Sequence, residues 1–418
     1  MPDSANELAA LPRPVAAYAP FAEDMVTVGV TGTNGKTSTT LLLVSMLRAA
    51  GLPTCFETTL GGGTRPDAPE STEQKPFVER ARAAHAEGVR HLAVEVTSEA
   101  LARGWSKRWR FDLGIFTNLS RDHLDAHGSF EHYLASKAQL FVHLGPGRTA
   151  VLNAADPSSR LLDQVIPVDV QRRFYAVPAR GAALFPTDLA VQELEVRPDG
   201  THARLAPSAL AEQLGGTLDI ALIGQVFVEN ALAAALAALA LGLPASAVRQ
   251  GSSDLGRVPG RFEVIARTPL VAIDYAHTPD ALSRTLTTAR ELAKAAGHGR
   301  VIAVFGAGGN RDHLKRKPMG EAVGKLADYA IITNDNPRDE DPRAIAQALH
   351  AGCRRGGRAH ARIVLDRRQA IRQAIESARP HDVVVICGKG HEAGQAAKGV
   401  IEPFDDAATV RSVLGAGS

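Results

Sequence analysis

Short apolar runs that end in polar or glycine-rich turns recur along the chain. Val26 to Thr31 is rich in β-branched residues and leads into a glycine-rich turn, and apolar residues at helical spacing continue from Thr37 to Gly51. The runs HLAVEVTS from His91 and FDLGIFTNLS from Phe111 also end in polar residues. This alternation predicts a parallel sheet flanked by helices, with the polar ends of its strands meeting at one edge.

A second series of apolar runs follows the turn VPGR at Val258 to Arg261. The runs LVAIDYAH, RVIAVFGAGG, YAIITNDNPR and DVVVICGKGHE each end in a glycine-rich or charged turn, which predicts a second doubly wound domain. We expect a short N-terminal segment over residues 1–24, a central domain over 25–257 and a C-terminal domain over 258–418. The predicted fold class is α/β, with a P-loop-type central domain built on a parallel sheet and a C-terminal Rossmann-like α/β domain.

Composition excludes several classes of partner. The 47 basic and 45 acidic residues leave a net charge of +2, so we expect a small charged substrate and no nucleic acid.

The longest apolar run, thirteen residues from Ala231, is shorter than the ~20 residues of a membrane span and predicts a buried Ala-rich helix. Three distant cysteines fit neither disulfides nor a zinc site, and the start lacks a signal pattern, so we expect no membrane partner and a cytoplasmic location.

The sequence GTNGKT between the first strand and helix predicts a phosphate-binding loop. Backbone N–H groups at a helix N-terminus bind anions, the lysine contacts phosphate oxygens and the threonine hydroxyl ligates Mg²⁺. A strict Walker A motif has glycine where this chain has Val30, and the alternative is a plain connecting turn with Lys36 solvated. The predicted nucleotide-binding residues of this loop are Gly32, Thr33, Asn34, Gly35, Lys36, Thr37 and Ser38.

Polar residues after the next two strands extend this predicted site. Glu95 ends one strand and His123 follows another, and a carboxylate and an imidazole near Thr37 suit a second Mg²⁺. Singly, Glu95 also fits a helix N-terminal acid, and His123 a surface histidine. Lys137 lies on an amphipathic helix, and its position alone predicts a solvated lysine.

The turns of the second domain carry charge but no nucleophile. Asp274, Tyr275 and His277 are placed to hold a ribose or a base. Arg311, Arg338 and the Gly388 to Glu392 turn combine cations with a carboxylate, which suits an amino acid carrying both charges. For each arginine, salt bridges between loops are the open alternative.

The ordered motifs VTGTNGKTST, EVTS, TNLSRDHLDAHG, SKAQLF, DYAHTPDAL, VFGAGGNRD, TNDNPRDEDP and GKGHE resemble the Mur ligase family. The resemblance runs from about Val26 to the C-terminus, and DNPR is typical of the meso-diaminopimelate-adding members. It implies an ATP-dependent amide-bond ligase in which an acceptor carboxylate becomes an acyl phosphate and an amine displaces phosphate. The implied partners are an amino acid and a carboxylate substrate.

The resemblance also assigns roles to residues. It implies ATP and two Mg²⁺ sites, with Lys137 matching a lysine that the family carbamylates. The implied catalytic residues are Lys36, Glu95, His123 and Lys137, and the implied metal ligands are Thr37, Glu95, His123 and Lys137. Nucleotide contacts are also implied for Asn230, Arg261, Asp274 and His277. The implied substrate-binding residues are Ser71, Thr72, Thr97, Ser98, Arg311, Asn336, Arg338, Gly388 and Glu392.

Departures from the family pattern fall on the acceptor side and on the nucleotide side. We expect the N-terminal domain that binds the UDP-sugar to be missing, and Glu99 and Trp105 replace a histidine and an arginine near the acceptor. Phe227 replaces an asparagine near the purine. We expect either that its ring stacks on the purine or that the nucleotide binds more weakly. Asn310 replaces an aspartate in the GGNRD turn. We therefore expect an acceptor other than the usual UDP-muramoyl dipeptide. The alternatives are that usual substrate, with a partner chain supplying the missing domain, and a non-catalytic nucleotide-binding protein. A folylpolyglutamate-synthase-like activity is disfavoured by DNPR and GKGHE.

Overall fold

The computed structural model describes residues 20–71, 76–120, 127–177 and 181–415. These residues form two compact units that divide at Gly256 and Arg257, with the short segments Val196–Asp199 and Leu222–Gly224 belonging to the second unit.

Ten strands of the described chain form the first sheet. They are β1 (Val26–Thr31), β2 (Thr54–Thr58), β3 (Gly61–Gly63), β4 (His91–Glu95), β5 (Leu113–Phe116), β6 (Thr149–Asn153), β7 (Gln171–Ala176), β8 (Leu189–Arg197), β9 (Gly200–Leu205) and β10 (Thr217–Ile220). The helices that accompany them are α1 (Lys36–Ala49), α2 (Phe77–Ala86), α3 (Ser98–Ala102), α4 (Phe130–Val142), α5 (Ser159–Val165), α6 (Ala209–Gln213), α7 (Gln225–Ala240) and α8 (Ala245–Asp254).

The second unit has its own sheet and hairpin. Its strands are β11 (Glu263–Arg267), β12 (Leu270–Asp274), β13 (Val301–Phe305), β14 (Tyr329–Ile332), β15 (His360–Ile363), β16 (Val383–Cys387), β17 (Gly394–Ala397) and β18 (Val400–Pro403). Its helices are α9 (Pro279–Ala295), α10 (Arg316–Leu326), α11 (Pro342–Gly356), α12 (Arg367–Glu376) and α13 (Asp406–Gly415).

The first sheet has the order β10-β9-β8-β7-β6-β5-β1-β4-β2-β3. Its centre, from β2 to β7, is parallel, because helical crossovers connect apolar strands that are covered on both faces. The carboxyl ends of β1, β4 and β5 therefore meet at one edge, which confirms the predicted α/β class. The antiparallel β9–β10 pair was not predicted. Strand β8 exposes many of its side chains, so it lacks the continuous apolar run of a central strand.

The second sheet has the order β11-β12-β16-β13-β14-β15. The four predicted apolar runs become β12, β13, β14 and β16, and they pair in parallel. Their carboxyl ends bring the predicted charged turns to one edge of this sheet. Strand β11 adds an antiparallel edge.

The core of the first unit contains an aromatic group. Phe77, Trp105, Trp109 and Phe111 pack with ring centroids between 5.1 and 6.2 Å apart. Helix α7 buries nearly every residue from Phe227 to Ala238, which confirms the predicted buried Ala-rich helix. None of the helices in the described ranges is long and apolar enough to cross a membrane.

Candidate active site

The turn between β1 and α1 is fixed by the turn that follows β5. Thr33 N donates to Asn118 O over 2.8 Å, and Asn34 N donates to Asn118 Oδ1 over 3.0 Å. Asn118 Nδ2 donates back to Asn34 O over 2.9 Å. Because these contacts hold the loop before the first turn of α1, the helix N-terminus is presented as an anion-binding position.

Gly35 lets α7 approach this loop closely. It caps α1 with a left-handed φ of 87°, and a Cβ at this position would overlap Asn230 Oδ1. Asn230 and the loop are therefore brought together, with Asn230 only 2% exposed. Phe227, on the same helix, is 3% exposed. Its ring thus offers almost no free face for stacking on a purine.

Glu95 lies beside the predicted phosphate loop. Thr37 Oγ1 donates to Glu95 Oε2 over 2.7 Å, and Lys36 Nζ lies 3.8 Å from Glu95 Oε1. Lys36 Nζ also donates to Thr33 O over 2.9 Å. The residue that caps the following helix α3 is Thr97, so Glu95 is not the N-cap of that helix. Ser38 is buried in the first turn of α1.

Lys137 points to the same loop from α4. Its Nζ donates to Gly32 O over 2.7 Å and lies 4.4 Å from the centre of the Tyr133 ring. The Tyr133 hydroxyl in turn lies 3.1 Å from Thr33 Oγ1. With Lys137 only 1% exposed, the solvated lysine predicted from its helix position is wrong. The periodicity of a helix does not reveal that its polar face covers a loop of the same unit.

Two of the residues predicted to hold the acceptor, Thr97 and Ser98, lie at the N-terminus of α3. Thr97 Oγ1 accepts from Ala100 N over 3.2 Å, so this side chain caps the helix. Ser98 Oγ lies 2.9 Å from His127 Nε2 and donates to Glu99 Oε2 over 3.2 Å. Ser71 is exposed, and its carbonyl accepts a hydrogen bond from Arg80. Thr72 and His123 lie outside the described residues.

In the second unit, three predicted nucleotide-binding residues gather around Tyr275. The Arg261 guanidinium lies 4.4 Å from the centre of the Tyr275 ring, and His277 Nδ1 lies 2.8 Å from Tyr275 O. Asp274 accepts hydrogen bonds from Phe262 N, Ala276 N and the Thr285 hydroxyl. Burial raises the pKa of the Asp274 carboxyl. These bonds hold its carboxylate between β12 and the neighbouring turns.

The carboxyl ends of β13, β14 and β16 assemble the predicted amino-acid site. Asn336 Nδ2 donates to Glu392 Oε2 over 2.9 Å, and Arg338 Nη1 donates to Gly309 O over 2.8 Å. Arg311 and Arg338 both approach Gly308, where an added Cβ would lie 3.7 Å from Arg311 Cγ and 3.1 Å from Arg338 Nη1. Two guanidinium groups, an amide and a carboxylate thus share one edge.

Gly388 is required by the packing of this edge. Its φ is 114°, and a Cβ there would clash with the Asp335 carboxylate. Asn310, in the neighbouring turn, has a φ of 52° and donates through its backbone N–H to Glu340 Oε1 over 2.6 Å. Asparagine tolerates this left-handed conformation, which accounts for its place in the turn.

Both units match one family. Residues 30–238 match the Mur ligase middle domain, and residues 260–390 match the glutamate ligase domain of Mur ligases. The chain belongs to the Mur ligase family. The family resemblance predicted from the motifs is therefore confirmed, and the chain is an enzyme of the ligase class.

Individual relatives agree. The UDP-N-acetylmuramoyl-L-alanyl-D-glutamate–2,6-diaminopimelate ligase of Solibacter usitatus is 39% identical, over 92% of this chain and 76% of its own. A solved structure of a ligase with that name is 32% identical, with a TM-score of 0.63 over 94% of this chain and 79% of its own. Folylpolyglutamate synthase of Mycobacterium tuberculosis shares the fold, at 21% identity and a TM-score of 0.69 over 94% of this chain and 92% of its own.

Two buried basic residues of this Mur ligase were not singled out from the sequence. Lys389 is fully buried, and its Nζ donates to Asn336 Oδ1 over 3.1 Å and to Glu392 Oε2 over 3.3 Å. Arg367 donates to Cys387 O over 3.0 Å and to Asn334 O over 3.2 Å. Lys389 lies inside the GKGHE motif, and this motif was the only feature of the sequence that pointed to a role for Lys389. Arg367 begins α12 in an ordinary helical pattern, which did not distinguish it from surface arginines.

Proposed function

We propose that this Mur ligase is an ATP-dependent acid–amino-acid ligase that joins meso-diaminopimelate, or a similar amino acid, to a carboxylate acceptor. The observation that carries the proposal is the group formed by Lys36, Thr37 and Glu95 at the N-terminus of α1. The names of the relatives support the choice of amino acid.

The loop fits the phosphates of ATP. A helix N-terminus attracts anions, and the Lys36 ammonium, which is bound here to a carbonyl oxygen, is available to exchange that contact for phosphate oxygens. The hydroxyl of Thr37 and the carboxylate of Glu95 are oxygen ligands of the kind that Mg²⁺ prefers. When bound, Mg²⁺ supplies positive charge that balances the charge of the phosphates.

The second magnesium site involves Lys137 and His123. No three His, Cys, Asp or Glu side chains cluster as metal ligands within the described ranges, which do not include His123. Lys137 as an unmodified lysine is accommodated as a cation, by Gly32 O and the Tyr133 ring. We propose that carbamylation turns it into an anionic ligand. Carbon-13 NMR after incubation with labelled bicarbonate tests this step, because the Lys137→Arg variant cannot form the carbamate.

The second unit supplies the amino-acid site. Arg338 and Arg311 suit a carboxylate, since a guanidinium presents a fork of N–H donors. Glu392, held by Asn336 and Lys389, suits an ammonium group. A substrate such as meso-diaminopimelate carries both kinds of group, and this combination supports the proposed choice of amino acid.

The proposed reaction has two steps. An oxygen of the acceptor carboxylate attacks the γ-phosphorus of ATP, and ADP leaves. The amine nitrogen then attacks the acyl carbon, phosphate leaves and the nitrogen loses a proton. Holding the two reactants in line supplies much of the rate.

The acceptor site differs from the family pattern, and we propose that the acceptor differs as well. Trp105 stands where the resemblance expects an arginine, and its side chain packs against Phe77 with ring centroids 5.3 Å apart. With 6% exposure it presents no cation to a substrate. Glu99 adds a negative charge next to Ser98. The usual UDP-muramoyl dipeptide remains the second candidate, because the relatives carry its name.

Product analysis tests the proposal. The enzyme is incubated with ATP, Mg²⁺ and meso-diaminopimelate, together with either UDP-N-acetylmuramoyl-L-Ala-D-Glu or the nucleotide-free dipeptide. The products are then identified by mass spectrometry. We expect an amide product that requires all components and is lost in Lys36→Met. The matched control is Lys294→Met, which removes an exposed lysine at the end of α9. A rate of phosphate release that is unchanged by either acceptor and by the amino acid would refute the proposal.

A further inference from the structure

The structure assigns a second anion-binding site to the first unit, in a basic cleft at the amino edge of its sheet. The cleft has a volume of about 460 Å³, within the range of ~300–1,000 Å³ that small-molecule sites occupy. We propose that it binds a compact dianion, such as a phosphate group or a small dicarboxylate.

The cleft lies on the opposite edge from the phosphate loop. Arg110 comes just before β5 and Arg148 just before β6, whereas the phosphate loop follows the carboxyl end of β1. Strands β1, β5 and β6 run between the two edges and have four to six residues, so they span roughly 13–20 Å at about 3.3 Å per residue. A ligand in the cleft is therefore distinct from the phosphates of ATP.

Cations dominate the lining. Lys107, Arg110 and Arg148 line the cleft together with His143, and no carboxylate lines it among the described residues. Asp112, which is buried and is not among the lining residues, accepts hydrogen bonds from both arginines and from Thr27 N. The positive charges of Lys107, Arg110 and Arg148, less the negative charge of Asp112, leave a net charge of two with His143 neutral. This net charge matches that of a dianion.

The arginines retain donors for such a ligand. Each gives one hydrogen bond to Asp112 in the described structure, out of five N–H donors per guanidinium. Their side chains are 39% and 31% exposed. Asp112 thus fixes two partly desolvated guanidinium groups side by side, the arrangement that oxyanions bind well. A hydrogen bond of 2.9 Å between the Ser106 hydroxyl and Nδ1 orients His143.

Both tryptophans of the sequence lie at or next to the cleft, so their fluorescence is a measure of ligand binding there. Trp109 lines it and Trp105 packs against Trp109, and these are the two tryptophans of the sequence. Tryptophan fluorescence therefore reports on this region. The full-length protein is titrated with inorganic phosphate and, separately, with malonate, and calorimetry of the same titrations measures binding independently.

We expect saturable binding that weakens as salt is added and persists in Lys36→Met, which alters the phosphate loop instead. Lys107→Gln should weaken binding roughly fivefold, as expected for one nearby charge. Arg108→Gln removes an exposed charge from the same turn but outside the lining, and should change affinity less than twofold. Tighter binding of phosphate identifies a phosphate ligand, and tighter binding of malonate a dicarboxylate. Binding of neither dianion, loss of binding in Lys36→Met, or equal effects of the Lys107 and Arg108 variants would overturn the assignment.

Discussion

The buried pair of Arg367 and Asp406 joins α12 to α13 in the unit that carries the proposed amino-acid site. Both side chains are 0% exposed, with Arg367 Nε 2.8 Å from Asp406 Oδ1 and Nη2 2.7 Å from Oδ2. Arg367 also binds the carbonyls of Asn334, after β14, and Cys387, at the end of β16. One side chain thus holds the two strand ends that carry Asn336, Arg338 and Glu392.

Replacing Arg367 by methionine should strongly destabilise the second unit. Removing one partner of a buried ion pair costs about 3–5 kcal/mol, because the remaining charge is left buried and uncompensated. With a urea dependence of ~2 kcal/mol per molar, the unfolding midpoint should fall by roughly 2 M. The double variant Arg367→Met/Asp406→Leu removes both charges and should recover most of this loss.

Urea unfolding followed by far-UV circular dichroism measures these changes. Arg368→Met is the matched control, since Arg368 is the exposed neighbour on the same helix and should lose less than about 1 kcal/mol. In the recovered double variant, the KM for the amino acid should still be raised, because the carbonyls of Asn334 and Cys387 lose their donor. A loss below about 1 kcal/mol in Arg367→Met, or a double variant no more stable than the single one, would refute this reasoning.

Three further predictions concern single groups. Thr37→Val should lower the affinity for Mg²⁺ by about 10–100-fold while Thr37→Ser keeps it, as measured from the Mg²⁺ dependence of phosphate release, and equal values would contradict the proposed ligand. The hydrogen bonds from Arg316 lower the pKa of Glu340 below its usual 4.5, so the stability it adds is present above that pH and lost as the pH falls through the lowered pKa. Glu340→Gln should therefore cost about 0.2–1 kcal/mol at pH 7 and less at pH 3, and a cost independent of pH would refute the assignment. Burial raises the pKa of each cysteine thiol, so a thiol reagent at pH 8 should label none of them in the folded protein and all of them in urea, as counted by mass spectrometry. The thiols are those of Cys55 and Cys353, with pKa values of about 12, and Cys387, whose pKa burial raises well above its usual value.

The sequence predicted the elements that depend on local pattern. Apolar runs ending in polar turns located β1, β4 and β5, and their parallel arrangement placed Glu95 beside the predicted phosphate loop. Apolar runs of the same kind located β12, β13, β14 and β16 in the second unit. Contacts that depend on tertiary packing were not predictable. Lys137 and Lys389 are buried because distant segments cover them, and spacing along one helix or turn carries no information about that covering.

The antiparallel part of the first sheet was missed for a related reason. Strands β9 and β10 are short and mix exposed with buried residues, and such patterns resemble polar loops until their partners are known. The cleft formed by Arg110, Arg148 and Lys107 was also not predictable from the sequence, because its residues come from separate turns at the amino edge of the sheet.

Transfer of oxygen-18 tests the central claim most directly. The acceptor carboxylates are labelled with oxygen-18, in both UDP-N-acetylmuramoyl-L-Ala-D-Glu and the nucleotide-free dipeptide, and the enzyme is supplied with ATP, Mg²⁺ and meso-diaminopimelate. Ligation through an acyl phosphate predicts that, with the acceptor it uses, each amide formed delivers one labelled oxygen to inorganic phosphate. Phosphate that carries only unlabelled oxygen, or ATP consumed with no amide from either acceptor, would contradict the account.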